Sequence, residues 1–380
     1  MFIMRKNCPV CGSKHAHILF NRNFMGMKDI VPFNSYDVNK CEDCGMIYAG
    51  DIIAAMSLDE YYDNLSKYET KDYFLSAEAK VIYKKIISFV EQYINKNDHI
   101  LEIGCGSGNL LYLLKEKGYN NLAGIEPSQN NVEGIAERWN IQCYTGSLGE
   151  DISELKNKQY NLVIMSCVLE HILDLGGAMD QLCRCIRNNG YLFLAIPDIT
   201  SWSTVTDLYK QFSVEHVNYF SLQSLNNLLG KLGFVCVKYE ISGADVSYSL
   251  WQYNGLKRSI TFANDGDAAL DMYLKKANSL AGDVKNKLAP YKDKSVYLWG
   301  AGTHTAMLYQ LGLLDNISVQ AIVDSNKNYH GKDIFGLKVI SPEELLSMKK
   351  LPIIISSQLA QESIKKQIAG MCDNEVVELY

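Results

Sequence analysis

The stretch HILEIGCGSGNLLYLLKEKG, residues 99–118, constrains the fold more than any other part of the chain. A short apolar run ends in a glycine cluster. The next run has apolar residues at helical spacing and a glycine where a helix would stop. The pattern predicts a strand, a glycine-rich turn and a helix. Glycines at 104, 106 and 108 let the backbone approach a ligand closely, and the helix start presents free N–H groups at the same place. Glycine spacing alone does not name the ligand. A dinucleotide fingerprint would need a third glycine where Asn109 or Leu111 stands, so nicotinamide binding is the weaker use of this turn.

The residues beyond the helix give the turn a context. NLAGIEPS, 121–128, reads as a second strand ending at Glu126 and Pro127. Glu126 lies about 20 residues past the glycine turn, the distance at which a carboxylate reaches both ribose hydroxyls. A third strand runs to a turn at Ser147 and Leu148. YNLVIMSCVLEHILD, 160–174, is a fourth strand with a helix start, and GYLFLAIPD, 190–198, is a fifth. SLQSLNNLLGKLG supplies a helix with Ser221 as N-cap and Gly233 past its end, and FVCVKYEIS a late strand. Strands alternating with helices predict an α/β fold with a doubly wound parallel sheet, whose ligands sit at the carboxyl ends of the strands.

The cysteines set a second constraint. CPVCG at 8–12 and CEDCG at 41–45 are two C-x-x-C-G knuckles. Each offers two thiolates from a tight turn that its glycine favours. Cys8, Cys11, Cys41 and Cys44 then make a closed tetrahedral shell, so a structural zinc is expected. A lobe over residues 1–70 has little core, and metal can supply the folding energy it lacks. Redox chemistry is the competing use, but no βαβ pattern surrounds either pair. His15 and His17 read as strand or turn residues. Tyr61, Tyr62 and Tyr68 either staple this lobe to the next or wall the cofactor site; Tyr68 is placed at the cofactor.

Bulk properties exclude several classes. The 380 residues allow two or three domains, and 47% hydrophobic with 21% charged residues is ordinary for a globular protein. A net charge of -6 argues against a nucleic-acid partner. No apolar run approaches the roughly 20 residues that span a bilayer, and the N-terminus lacks a signal peptide's apolar region. A cytoplasmic protein without a membrane partner is therefore expected. In that reducing compartment, eleven cysteines do not imply a disulfide framework.

FSVEHVNYFS, 212–221, puts Glu215 beside His216 in a connection of more than 20 residues after the fifth strand. Long ordered loops are often functional. Glu170 and His171 come after the fourth strand. Strand order puts both pairs on the cofactor side, where two imidazoles would face one another across a substrate pocket. His216 reads as a base oriented by Glu215; His171 is as well explained by bracing a helix.

LEIGCGSGN, GIEPS, TGSLGED and VLEH, in this order over roughly residues 75–240, resemble the successive motifs of class I S-adenosylmethionine-dependent methyltransferases. The resemblance implies Gly104 and Gly106 against the methionine part of the cofactor with Glu102 nearby, and Glu126 on the ribose. It implies Ser147 and Leu148 at the adenine, and Ser166 on the strand end that faces the cofactor. With the two knuckles and EHVNYFSL, the chain is similar to zinc-containing C-methyltransferases of nucleotide-linked keto-deoxysugars. That likeness implies His216 and Glu215 as catalytic, with His171 as the second active-site histidine. Those relatives carry a tyrosine two residues before the glutamate, where Ser213 stands here. O- or N-methylation of a small molecule, a nucleic-acid methyltransferase and a non-catalytic scaffold remain the alternatives.

SVYLWGAGTHTAMLYQLG, 295–312, repeats strand, glycine turn and helix, and later strands end at Asp324 and in LPIIISSQ. This predicts a second, smaller Rossmann-like unit. Thr305 takes the third glycine position, so a nucleotide, substrate or structural role outweighs NAD binding. The relatives' alanine-lysine-glycine stretch after this turn is absent. Ser341, Pro342 and Glu344 form a capping box of structural value only. The expected organisation is a zinc-binding lobe (1–70), a methyltransferase domain (71–242), a helical linker (243–290) and a Rossmann-like substrate domain (291–380). The expected partner is a small molecule, a nucleotide-sugar by resemblance, and the expected assembly a monomer or weak homo-oligomer.

Overall fold

In the computed structural model, the described residues are 3–27, 30–56, 58, 61, 76–150, 152, 155, 158–243 and 245–380. The N-terminal sheet contains β1 (Ile3–Met4), β2 (Ala16–Asn23), β3 (Phe33–Cys41) and β4 (Ile47–Ala54). Its order is β1-β4-β3-β2, and all pairings are antiparallel. The knuckle turns join its strands.

Helix α1 (Ala77–Val90), capped by Ser76, leads into the middle sheet. Next in chain order come β5 (Ile100–Ile103), α2 (Asn109–Glu116), β6 (Leu122–Glu126), α3 (Gln129–Trp139), β7 (Gln142–Thr145), β8 (Tyr160–Ser166), α4 (Leu175–Cys185) and β9 (Ile186–Pro197). β5 and β6 are buried throughout, as strands covered on both faces must be. After β9 come a 3-10 helix (Ile199–Thr204), the two-residue β10 (Asn218–Tyr219), α5 (Leu222–Gly230), β11 (Phe234–Gly243) and β12 (Val246–Tyr253). The order is β11-β12-β9-β8-β5-β6-β7, parallel except where β12 inserts antiparallel between β9 and β11.

β12 corrects the sequence reading, which assigned residues 243–290 to a helical linker. The helix α6 covers only Asp267–Leu288. VSYSLWQY alternates apolar and polar residues over Val246–Leu250, the period of a strand, which the helical-linker reading passes over. Ser247 and Ser249 are nevertheless fully buried, because the strand is covered on both faces. Ser249 Oγ accepts the Trp251 indole N–H at 2.9 Å.

β10 pairs not with the middle sheet but with β4 of the N-terminal sheet. The connection that carries Glu215 and His216 is thereby stitched to the first lobe.

The C-terminal unit holds β13 (Ser295–Trp299), α7 (Thr303–Gln310), β14 (Ser318–Val323), β15 (Asp333–Ile334), β16 (Leu337–Ile340), α8 (Pro342–Leu345), β17 (Ile353–Ile355), α9 (Gln361–Met371) and β18 (Val376–Glu378). Its order is β15-β16-β14-β13-β17-β18, parallel apart from β15. The Ser341–Glu344 capping box is formed. One apolar cluster runs from Phe24, Phe33 and Tyr36 through Trp202, Phe212 and Tyr219 to Tyr273, Val296 and Leu379. Among the described residues, no helix is long and apolar enough to cross a membrane.

Candidate active site

The glycine turn after β5 forms the floor of the site. Gly104 and Gly106 have φ of +67° and +53°. A Cβ on Gly104 would stand 2.5 Å from Val168 Cγ2, so the turn after β8 packs on the glycine turn. A Cβ on Gly106 would meet nothing within 4 Å. Glu126 ends β6, and its Oε2 accepts the Gly106 N–H at 2.9 Å. Its Oε1 accepts from the Ser128 N–H at 3.3 Å and Asn131 Nδ2 at 3.4 Å. Glu102 is buried, and its Oε2 has no hydrogen-bond partner among the described residues. Burial above all, then the charges of Cys143 and Glu126, raise its carboxyl well above the ordinary value.

Pro127 comes directly after Glu126, Ser147 and buried Leu148 come after β7, and Ser166 closes β8. Ser147 donates its N–H to Glu150 Oε2 at 2.8 Å. With the glycine turn after β5, these residues lie at or beside the carboxyl ends of the four adjacent parallel strands β8, β5, β6 and β7. An open backbone cradle at Gly106, with an unsatisfied buried carboxyl oxygen close by in sequence, fits a polar nucleoside-type cofactor. Tyr68 lies outside the described residues.

The second part of the site is a cluster of imidazoles and carboxyls. The 3-10 turn Leu169–His171 comes after β8, past Cys167 at φ +56°, a strained backbone for a side-chain-bearing residue. Glu170 and His171 meet Glu215 and His216 here. The two imidazole rings touch edge to face, with centroids 4.8 Å apart and planes at 83°. They are in direct contact, and do not face each other across a pocket as the strand order had suggested. His171 Nδ1 lies 3.2 Å from the Glu215 carbonyl oxygen. A carbonyl can only accept, so this nitrogen carries the hydrogen. His171 Nε2 then faces Glu170 Oε1 at 3.9 Å. Glu170 is 2% exposed, and neither carboxyl oxygen has a hydrogen-bond partner among the described residues. Burial pushes its carboxyl up to about 8.

Ser213 has a different use from the phenol it replaces. Its Oγ accepts the N–H groups of Glu215 at 3.3 Å and His216 at 3.0 Å, closing the turn. Tyr36 donates to the Ser213 carbonyl at 2.5 Å, and Tyr219 to the His216 carbonyl at 2.9 Å. Tyr61 donates its hydroxyl to Glu215 Oε1 at 2.6 Å. The sequence reading placed Tyr61 only as a staple or wall. Its spacing from Glu215, over 150 residues, left no local signal for this contact.

The four knuckle cysteines form one cluster, with all sulfurs within 4.8 Å of one another. Cys8 and Cys44 sulfurs are 3.5 Å apart, as are those of Cys11 and Cys41. Four sulfurs at about 2.3 Å from one ion stand about 3.8 Å apart, so the donor set fits zinc. The knuckles repeat each other: Gly12 and Gly45 have φ of +77° and +76°, and their N–H groups donate to the carbonyls of Cys8 and Cys41. His15 and His17 lie outside this group, facing Asp43 and Glu42.

Residues 75–239 match the family model described as a methyltransferase domain, and residues 292–376 one described as C2185-like, N-terminal. With the strand order and the glycine turn, this makes the middle of the chain a methyltransferase domain with the class I, S-adenosylmethionine-dependent fold. Among curated relatives, peramine synthetase ppzA of Metarhizium rileyi is 34% identical over 82 residues, covering 19% of this chain and 3% of that protein. The ubiquinone biosynthesis O-methyltransferase of Hydrogenovibrio crunogenus is 25% identical over 151 residues, 38% of this chain and 57% of that enzyme. The chain thus spans well under two thirds of either relative. The crystal structure of the PH0226 protein from Pyrococcus horikoshii OT3 aligns over 52% of this chain and all of its own, at 19% identity and a TM-score of 0.42.

Proposed function

We propose that this protein transfers the methyl group of S-adenosylmethionine to a carbon of a nucleotide-linked keto-deoxysugar, with His216 as base. The observation that carries the reading is the contact of His171 with His216 at the glycine-turn end of the sheet. Gly104, Gly106 and Glu102 would hold the methionine end of the cofactor, Glu126 and Pro127 the ribose, and Ser147, Leu148, Ser166 and Tyr68 the rest. When bound, the cofactor supplies an electrophilic methyl on a sulfonium. The protein's own task is to make the nucleophile. His216 takes the proton from the carbon next to the sugar ketone, and the C–H electron pair passes into the enolate. Glu215 orients this turn through Tyr61, and His171 braces the imidazole from its edge. The four cysteines would hold a structural zinc, and the C-terminal unit would take the nucleotide of the sugar.

Transfer to oxygen is the second reading. Ser213 is spent on closing the turn, which leaves the site without the expected enolate-stabilising phenol at that position, and a hydroxyl acceptor needs only one base. Incubation with methyl-labelled cofactor and a panel of nucleotide-linked keto-sugars separates the two. Label in an acid- and base-stable C–CH3 group supports the first reading; label in a methoxy group supports the second. His216→Ala is expected to lower turnover by about 10²–10⁴-fold at unchanged cofactor affinity. Full turnover in that variant would remove the base assignment.

A further inference from the structure

Arg5 comes directly after β1, three residues before the first knuckle cysteine, yet its guanidinium reaches both halves of the candidate active site. Nε donates to the Leu173 carbonyl at 3.1 Å, and Nη2 to the Ile172 carbonyl at 2.7 Å and again to Leu173. Nη1 donates to the Val217 carbonyl at 2.8 Å and to Asn218 Oδ1 at 2.8 Å. All five N–H donors of the side chain are thereby used. Two acceptors come directly after His171, and the other two directly after His216. Asn218 completes the mesh from the other side, with Nδ2 donating to the carbonyls of Leu169 at 3.0 Å and Ile172 at 2.8 Å.

The backbone explains how Arg5 comes to this place. β1 and β10 lie end to end along the same edge of β4, one opposite Ile52 and Ile53, the other opposite Ile47 and Tyr48. Arg5 sits at the junction, where its carbonyl accepts the Asp51 N–H at 3.1 Å, while the Val217 carbonyl accepts the Ala49 N–H at 2.9 Å. Its own backbone has φ +56°, a conformation held by its surroundings. The acceptors it meets are carbonyls and an amide. Burying a guanidinium against neutral acceptors costs solvation that a purely apolar join would not. A lysine has three donors and no planar fork, so it could not satisfy the same set.

We infer that Arg5 is a positioning residue for methyl transfer, a clasp that holds the His171 turn against the His216 turn and ties both to the cysteine-rich lobe. This rests on the proposal that the two histidines act together. Misplacing a reacting group by about 1 Å can cost about 10²-fold in rate, and the clasp adds to the Val217 N–H···Glu170 carbonyl bond at 2.8 Å the side-chain contacts that fix the two turns against each other and against the first lobe.

The test uses the full chain and the substitutions Arg5→Gln, Arg5→Lys and Asn218→Ala. With ¹³C-labelled histidine, the imidazole resonances of His171 and His216 are assigned through His171→Gln and His216→Gln. The expected result is that both resonances move in Arg5→Gln, less in Arg5→Lys, and that added guanidinium ion partly restores them in Arg5→Gln. S-adenosylmethionine binding stays within about twofold, because among the described residues all of Arg5's side-chain hydrogen bonds go to Ile172, Leu173, Val217 and Asn218 and none to the glycine turn. With any keto-sugar that the wild type methylates, kcat falls by about 10²-fold with KM for the cofactor unchanged. Unmoved histidine resonances in Arg5→Gln would overturn the inference. So would a parallel loss of cofactor binding and metal content, which would make Arg5 an ordinary fold staple. Should Arg5→Gln fail to fold, Asn218→Ala cuts the same mesh from the opposite turn and is read in the same way. The resonance readout needs no substrate, so a failure of the proposed chemistry would leave it standing, and the reverse also holds.

Discussion

Glu170 shows how far a single residue can be pushed by its place in the fold. Its carboxyl is buried without a hydrogen-bond partner among the described residues and is held near 8 by that burial. In the unfolded chain it would ionise near the ordinary value of 4.5. Between these two values the folded state keeps a proton that the unfolded chain has lost. Its stabilising contribution is therefore complete below about 4.5 and is lost progressively as pH rises toward 8. The span corresponds to on the order of 5 kcal/mol. Glu170→Gln keeps the shape and cannot ionise. The variant should match the wild type in urea midpoint near pH 4.5 and exceed it increasingly toward pH 9. A difference that does not change with pH would show that Glu170 is not titrating in this window. The sequence displayed the Glu-His pairs but not this environment. Adjacent acid and imidazole letters do not say which one is buried, and the burial comes from chain segments far away.

At the scale of elements, signals carried within a few residues are legible in the sequence, and pairings set by distant partners are not. The strand–turn–helix at 99–118, the Ser221 and Ser341 caps and the two knuckles carry their signals within a few residues. β10 is two residues long and exists only because β4 offers an edge. At that length β10 shows no period, whereas β12 alternates over VSYSL and its strand signal is legible in the sequence. The dependence of β10 on a distant partner makes the cysteine cluster, and the zinc proposed for it, a prediction for the candidate active site. β4 begins directly after the second knuckle, β10 is paired to β4, and Arg5 stands three residues before Cys8. Cys44→Ser, or removal of metal with a chelator, should loosen that edge and with it the His216 turn. The expected result is loss of metal and at least about a tenfold loss of turnover. Cofactor affinity should stay within about threefold, because the glycine turn belongs to the other sheet. Metal analysis, calorimetric titration with cofactor and a turnover assay check the three parts. Loss of cofactor binding together with the metal would show that the two sheets fold as one.

The whole molecule is built around the connection from 198 to 220. Trp202, Phe212, Tyr219 and Tyr273 pack edge to face with centroids 5.3–6.0 Å apart, between the N-terminal sheet and the C-terminal unit. The aromatics around Glu215 and His216 are thus the buried joint of the molecule. Arg22 spans this joint and is 2% exposed. Its guanidinium donates to the Phe212 carbonyl at 3.0 Å, to the Thr303 carbonyl at 3.2 Å and to Gln310 Oε1 at 3.1 Å, and it lies 4.2 Å from the Phe24 ring centroid. No carboxylate pairs with it among the described residues, and burial lowers it from its ordinary value to about 10, still charged at neutral pH. One side chain from β2 therefore links the turn before Glu215 to the start and end of α7. Arg22→Met fills much of the space but takes the donor from the buried Phe212 carbonyl, worth about 1–3 kcal/mol. The variant should lose about 1–3 kcal/mol of stability by urea unfolding. Because the joint lies outside the middle sheet, cofactor affinity should be unchanged while the KM for the methyl acceptor rises. A loss confined to stability, with KM for both substrates unchanged, would show that the C-terminal unit is joined to the site without serving it.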